Sequence, residues 1–518
     1  MPSISPQIHA RPHLSGVLRQ IAEQHPRLTA GLVLLLWTLA VRLPFIHVIG
    51  DDEAFFSVVA SRWLRGELPY VASYDIKAPG MFALFAAVQF FVGSGLAQIK
   101  AIEILFIAWG AYSLHRMLTD HGSPAMAFWA AGLYPIYSLF QEGTTFPTQH
   151  IQMALTIAAV RLMLDAGRAD ERRALGILAR SGLMIGCAVM VKQTAAFEGL
   201  ALFGWLAWQC WQRKTVWPLA VFCGVAPLPT LGFGLYFAAT GHFTEAFNDV
   251  VMSALQRSQL DMWIQTQSPL IKFFRRPLNF LAMIKPLLVI TAGALLAVLR
   301  LGRVRAVAPR LIALTLLWYV TAAIGVLMVK SPDLYCGFPL MTPTVILFVG
   351  VLCHGIDFKP RQRNLYMALY MTAAVAQPMI MEREDLFPGG YLAIPDYRAS
   401  VLGAESLRKQ GIKPGDNLLV LSRGHYVYLF TQTLPKAKYF NAMHLLCNFP
   451  TPDADPLGAA FDSRPQYILL SDMAYVMGCL NRDRLPQIYK RLDADYDHVS
   501  TVRGDWDGFN VYKRKPGH

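Results

Sequence analysis

Val48–Gly80 reads VIGDDEAFFSVVASRWLRGELPYVASYDIKAPG and closes an apolar run, 28–49, long enough to cross a bilayer. Three consecutive acids, Asp51, Asp52 and Glu53, stand at the end of that run. Beyond them Phe55, Val58, Val59, Trp63 and Leu64 recur at helical spacing, which predicts an amphipathic helix lying in the membrane interface. GELPY then turns the chain, and Lys77 precedes Pro79 at the mouth of a second apolar stretch. An acid and a base are thereby delivered to one layer at the membrane's edge.

The threading of that second stretch decides the fold. Residues 81–93 are too few for a span, which takes roughly 20 helical residues. As a crossing they would also move every later basic cluster outside: Arg168 with Arg172 and Arg173, Arg213 with Lys214, Arg300 with Arg303, and Lys359 with Arg361. Basic clusters belong on the cytoplasmic side, so 81–93 is expected as a helix embedded in the outer leaflet. Spans then fall at 28–49, 97–117, 123–140, 147–165, 177–192, 194–211, 217–239, 278–299, 310–329, 338–356 and 364–381. These crossings, about 11 in all, make a polytopic α-helical membrane protein. A cytoplasmic N-terminal segment (1–27) precedes a transmembrane domain (28–381), whose first outer loop is 50–96. Run 28–49 lacks a small-x-small exit and reads as a retained anchor in the inner (plasma) membrane.

Composition agrees. Of 518 residues 54% are hydrophobic and 16% charged, and the net charge of +13 sits in short clusters between apolar runs. With no groove-reading motif beside that charge, nucleic acid is not an expected partner. Residues 382–518 change character: GDNLLVLSRGHYVYLFTQ and RPQYILLSD read as short buried strands, and IPDYRASVLGAESLRKQG as a helix stopped near Gly411 and Pro414. A small α/β domain outside the membrane (periplasmic or extracellular) is expected there. Cys447 and Cys479 are its cysteine pair, and that compartment permits a disulfide between them.

The opening stretch, DDEAFFSVVASRWLRGELPY with DIKAPGMFALFAAVQFFVGSG, resembles the D-E-A-x-Y, G-x-x-P-Y and K-x-P signature of polyprenyl-phosphate-sugar glycosyltransferases. These are GT-C fold enzymes related to aminoarabinose transferases and protein O-mannosyltransferases. SGLMIGCAVMVKQTA, DLYCGFPLMTP and IKPGDNLLVLSRGHYVYLFTQTLPKAKYF are similar to further segments of the family, in the same order. The resemblance implies inverting transfer of one sugar from a polyprenyl phosphate sugar donor to a glycan, lipid or protein acceptor of the cell envelope, lipopolysaccharide among them.

Such chemistry needs a carboxylate to take the acceptor's proton and cations to receive the departing phosphate. The family pattern makes Asp52 the expected base, with Glu53 orienting acceptor or cation and Asp51 as the spare acid. Lys77 and Lys192 are the expected phosphate ligands, joined by Arg42 and Tyr335; a cation in a membrane segment is expensive and points to function. Glu142 and Tyr70 are expected at the acceptor pocket. The loop from Gly241 to Arg276, with His242, Arg257, Asp261, Trp263, Arg275 and Arg276, is long enough to cover the site or to bind lipid headgroups. No His, Cys or carboxylate spacing matches a metal site, so no obligatory metal is expected, with a divalent cation left open. The alternative reading, a flippase or transporter for a lipid-linked saccharide, calls for repeated halves meeting at the midplane, and the sequence shows no repeat.

Overall fold

Apolar runs punctuated by proline and glycine become helices. The computed structural model describes residues 23–46, 48, 50–140, 143–259, 301–328, 334–381, 395–421, 424–446, 451–471, 484–503 and 508–517. Helix α1 (Pro26–Arg42) starts with proline, whose missing N–H has no intrahelical partner to lose there. The helices α2 (Asp51–Leu64), α3 (Gly80–Val92), α4 (Leu96–His121), α5 (Pro124–Tyr137), α6 (Thr148–Ala166), α7 (Glu171–Val191) and α8 (Ala195–Arg213) follow. One apolar run is then split at Pro227 into α9 (Trp217–Val225) and α10 (Leu228–Ala239), because proline cannot continue the hydrogen-bond ladder. The short α11 (Phe243–Phe247), a π turn at Asn248–Met252 and α12 (Ser253–Gln259) come next. After them the described bundle ends with α13 (Leu301–Val307), α14 (Pro309–Met328), α15 (Phe338–Gly350) and α16 (Pro360–Met381).

Five helices among the described residues are long and apolar enough to span a membrane: Pro26–Phe45, Glu171–Val191, Trp217–Ala239, Pro309–Met328 and Phe338–Gly355. Counting α3 and α4 as one broken span gives a sixth, but the two meet at 119°, a bend that suits a short helix turned back on itself. Three other expected spans, α4, α6 and α8, carry buried polar groups: Lys100 and Glu103, Gln149, His150 and Gln152, and Glu198. The expected span at 278–299 lies outside the described residues.

Glycine sets one close helix contact. A Cβ on Gly186 would stand 2.1 Å from the Ala226 carbonyl oxygen, and one on Gly182 would stand 2.8 Å from that of Phe222. This small-xxx-small pair therefore lets α7 lie directly on α9.

Helix α2 departs from expectation. The spacing predicts an interfacial helix with one apolar face, yet Glu53 through Ala60 are all buried. Protein wraps it on both sides, with α3 on one flank and the C-terminal region on the other.

That region is an α/β unit, built from α17 (Pro395–Lys409), β1 (Leu418–Leu421), α18 (Tyr426–Thr431), α19 (Ala442–Leu446), α20 (Pro456–Asp462), β2 (Tyr467–Ser471), α21 (Leu485–Asp495), β3 (Tyr496–Arg503) and β4 (Gly508–Arg514). The sheet order is β1-β2-β4-β3, with β1 parallel to β2 and the remaining pairs antiparallel. The second half of GDNLLVLSRGHYVYLFTQ is helix, not strand. A short, wholly apolar run fits either period, and here Tyr426 stacks on Phe430 one turn on. Cys447 and Cys479 lie outside the described residues.

Candidate active site

Three acids fill the first turn of α2, where the helix dipole favours negative charge. Successive helical residues point about 100° apart, so the three carboxylates diverge to three different partners.

Asp52 stays half-exposed and meets Lys77 Nζ at 2.8 Å. Lys77 also lies 4.0 Å from Asp75 Oδ2 and 4.6 Å from the centre of the Phe56 ring. The loop that presents it is held from within. Tyr70, buried and at φ +69°, donates its hydroxyl to the Lys77 carbonyl at 2.7 Å, while Asp75 Oδ1 accepts the Ile76 and Lys77 amides at 2.7 and 3.3 Å. Burial, opposed by Lys77, holds the Asp75 carboxyl above its usual range. Tyr70, expected at the acceptor pocket, is thus placed as a brace for the Lys77 loop.

Glu53 turns into the bundle. Its carboxylate accepts the Phe146 amide and pairs with Lys100 Nζ at 3.2 Å, both groups almost fully buried. Lys100 also contacts Glu103 at 3.2 Å, and Glu103 in turn takes Arg42 and, at 2.9 Å, His150. Arg42 further donates to the carbonyls of Gly143 at 2.6 Å and Ser138 at 3.2 Å. Arg42, expected as a phosphate ligand, is therefore committed to protein acceptors inside the bundle. Lys100 and Glu103 are not among the residues expected from the sequence, although two charges three residues apart within an apolar run signal such a network.

Asp51 faces the C-terminal unit. Its two oxygens accept the His425 backbone N–H at 3.0 Å and face Nδ1 at 2.8 Å, while Tyr426 donates to the Gly50 carbonyl. Phe55 stacks on Phe440 at 5.0 Å, and Arg62 donates to the Ala437 carbonyl at 2.9 Å. The α2 helix is gripped along its length by chain that follows it by hundreds of residues.

Lys192 caps α7 beside the same loop. Gln193 Nε2 donates to the Ile76 carbonyl at 2.8 Å, and a Cβ on Gly80 would stand 2.3 Å from the Met190 oxygen. The elements carrying Lys77 and Lys192 are therefore in direct contact. Lys192 lines a cavity with Gln149, Thr194, Glu198, Cys336 and Pro339. Glu198, at its inner side, accepts from Gln152 and Thr156 at 2.9 Å and from Trp318 at 3.3 Å.

Glu142, the Tyr335 side chain, and Asp261, Trp263, Arg275 and Arg276 lie outside the described residues, as does the side chain of Arg257. Among the described residues no three His, Cys, Asp or Glu side chains converge as a metal site.

No family model matches the chain, and no curated protein matches it. Solved structures do. ArnT from Cupriavidus metallidurans bound to undecaprenyl phosphate matches with TM-score 0.59 at 14% identity, over 96% of this chain and 99% of that one. The archaeal oligosaccharyltransferase AglB from Archaeoglobus fulgidus, in complex with an inhibitory peptide and a dolichol-phosphate, matches with TM-score 0.52 at 12% identity, over 87% and 70%. Identities this low speak for architecture alone, and the architecture is common to both: the chain has the GT-C fold.

Proposed function

We propose that the protein is an integral-membrane glycosyltransferase that moves one sugar, with inversion, from a polyprenyl-phosphate-linked donor to an envelope glycan, lipid or protein acceptor on the extracytoplasmic face. The observation that carries this is the Asp52–Lys77 pair, 2.8 Å apart with both side chains partly exposed. In the free protein the two groups neutralise each other. An arriving phosphate competes for Lys77, and the exchange frees the Asp52 carboxylate as a base.

The acceptor oxygen then attacks the anomeric carbon, its proton passes to Asp52, and the carbon–oxygen bond to phosphate breaks. The electron pair stays on the phosphate, which goes from a singly charged diester to a doubly charged monoester. On this reading Lys77 meets that growing charge, and Lys192, on the abutting helix end, is a second cation for it. Two neighbours of the same fold, with undecaprenyl phosphate and dolichol-phosphate in their structures, support a lipid phosphate as the donor's leaving group.

Mass spectrometry of envelope glycans from a deletion strain, complemented with wild type or Asp52→Asn, tests the reading. A sugar lost on deletion and restored only by wild type is expected. Full restoration by Asp52→Asn would remove Asp52 as the base. No obligatory metal is proposed, and transfer by the purified protein should survive a chelator.

A further inference from the structure

Glu198, 1% exposed on α8, is an acid that the transfer chemistry leaves unused. Its surroundings are built by two helix faces. On α6, Gln149, Gln152 and Thr156 recur at i, i+3 and i+7 and share one face. Gln152 and Thr156 both donate to Glu198 Oε2 at 2.9 Å. On α14, Trp318, Ala322, Gly325 and Val326 share a face by the same spacing, and the Trp318 indole N–H donates to Oε1 at 3.3 Å. All three donors are neutral. An acid at bilayer depth is costly, and it ordinarily pairs with another charge or faces a cavity. Glu198 faces a cavity.

Gln149, Lys192 and Glu198 supply the polar lining of that cavity, and Ala322, Gly325 and Val326 much of the apolar lining. A Cβ on Gly325 would stand 2.8 Å from the Phe197 ring, so glycine lets α14 close on α8. The space has room for about one water-sized group. What enters it is a single substituent, neither a whole ring nor a lipid chain.

A carboxylate offers about four acceptor positions, of which these donors take three. The open position asks for an O–H or N–H. Phosphate is repelled by Glu198 and drawn to Lys192. Gln193, next to Lys192, donates to the Ile76 carbonyl at 2.8 Å, in the loop that carries Lys77. The cavity thus runs from the place where the proposed function puts the phosphate to an acid one helical turn deeper.

We propose that this cavity reads one substituent of the donor's sugar, a hydroxyl or an amino group, through a hydrogen bond to Glu198, which makes Glu198 a specificity-determining residue. The word donor rests on the transferase reading; the binding rests on the cavity and its acid.

The test titrates the full-length protein in lipid nanodiscs with undecaprenyl phosphate and with its glucose and glucosamine esters. Wild type should bind an ester more tightly than undecaprenyl phosphate. A preference for both esters marks a hydroxyl, and one for the glucosamine ester alone marks an amino group. Glu198→Gln should weaken that ester by about 10- to 100-fold, the range for a hydrogen bond to a charged group, with undecaprenyl phosphate bound as before. Ala322→Val fills the space from α14 and leaves the three donors in place. It should lose the preference too, and it decides the matter if the glutamine variant does not fold. Esters bound no more tightly than undecaprenyl phosphate by wild type, or a preference that survives in Ala322→Val, overturn the pocket and leave Glu198 as a joint between helices beside a trapped water only. A preference lost in both variants, with no sugar passed from the ester to envelope extracts, keeps the pocket and removes the transferase reading. Transfer without any ester preference does the opposite.

Discussion

Asp52 and Lys77 meet at 2.8 Å across the junction of α2 and the loop before α3, and a second acid, Asp75, backs the lysine at 4.0 Å. On the proposed function a phosphate displaces Asp52 from Lys77, so the two halves of the pair should fail differently. Asp52→Asn should lower single-turnover transfer by about 10²- to 10⁴-fold, the usual worth of a general base. Its affinity for undecaprenyl phosphate should hold or rise, because Lys77 has lost its competitor. Titration of the purified variant reads both; weakened lipid binding would contradict the exchange.

Lys77→Met should show the reverse, with undecaprenyl phosphate binding weaker by about 10- to 100-fold. Lys77→Arg should recover part of that loss, since charge survives and the compact ammonium geometry does not. Equal affinity in all three proteins would move the phosphate away from Lys77.

Lys100 acts on stability. Replacing it by methionine leaves Glu53 without its cation and Glu103 with one fewer, all inside the bundle. Removing one partner from a buried pair costs about 3–5 kcal/mol. Thermal unfolding in nanodiscs should fall accordingly, and an unchanged melting temperature would mean that the acids are protonated in the folded protein.

Asp249 gives a pH signature with a definite sign. Its carboxyl is pushed from an ordinary 3.8 to about 7, chiefly by burial. The folded state then holds more protons than the unfolded state between those values. Its contribution to stability is therefore fullest at acid pH and declines as pH rises from about 4 to about 7. Melting temperature against pH, wild type minus Asp249→Asn, should slope downward over that interval; a flat difference would mean that the buried carboxyl stays ionised in the folded protein.

Much of the helical architecture is legible in the sequence. Long apolar runs fix helices because nothing else satisfies a backbone in lipid, and acids beside a lysine at a span's edge stand out against that background. What stayed hidden depends on distance along the chain. Lys100 and Glu103 sat in a run read only as a span, and nothing local says that Glu53 will turn inward to meet them. Asp75, two residues from Lys77, carries no local signal that separates it from ordinary loop polarity. Asp249 and His425 matter only through partners far away in sequence. Tyr426–Thr431, apolar on every side, carried no period to separate helix from strand.

The joint between Asp51 and His425 is open to direct test. His425→Ala removes the ring that faces Asp51 and packs on Phe55 at 5.4 Å. Limited proteolysis should then cut the C-terminal unit faster than in wild type, with transfer reduced in parallel. Unchanged cleavage would show that the aromatic contacts suffice.

The same joint sets an order of events during synthesis. Asp51 and His425 are separated by 374 positions, so α2 emerges early and waits for its last wall. Contacts this distant in sequence close slowly, after local helices have formed. The nascent bundle holds Asp52 and Lys77 long before Phe440 and Ala437 arrive to fix the helix that bears the acid. The walls of α2 are thus completed late, and on the proposed function a chain cut short before residue 425 lacks the contacts that fix the helix bearing Asp52.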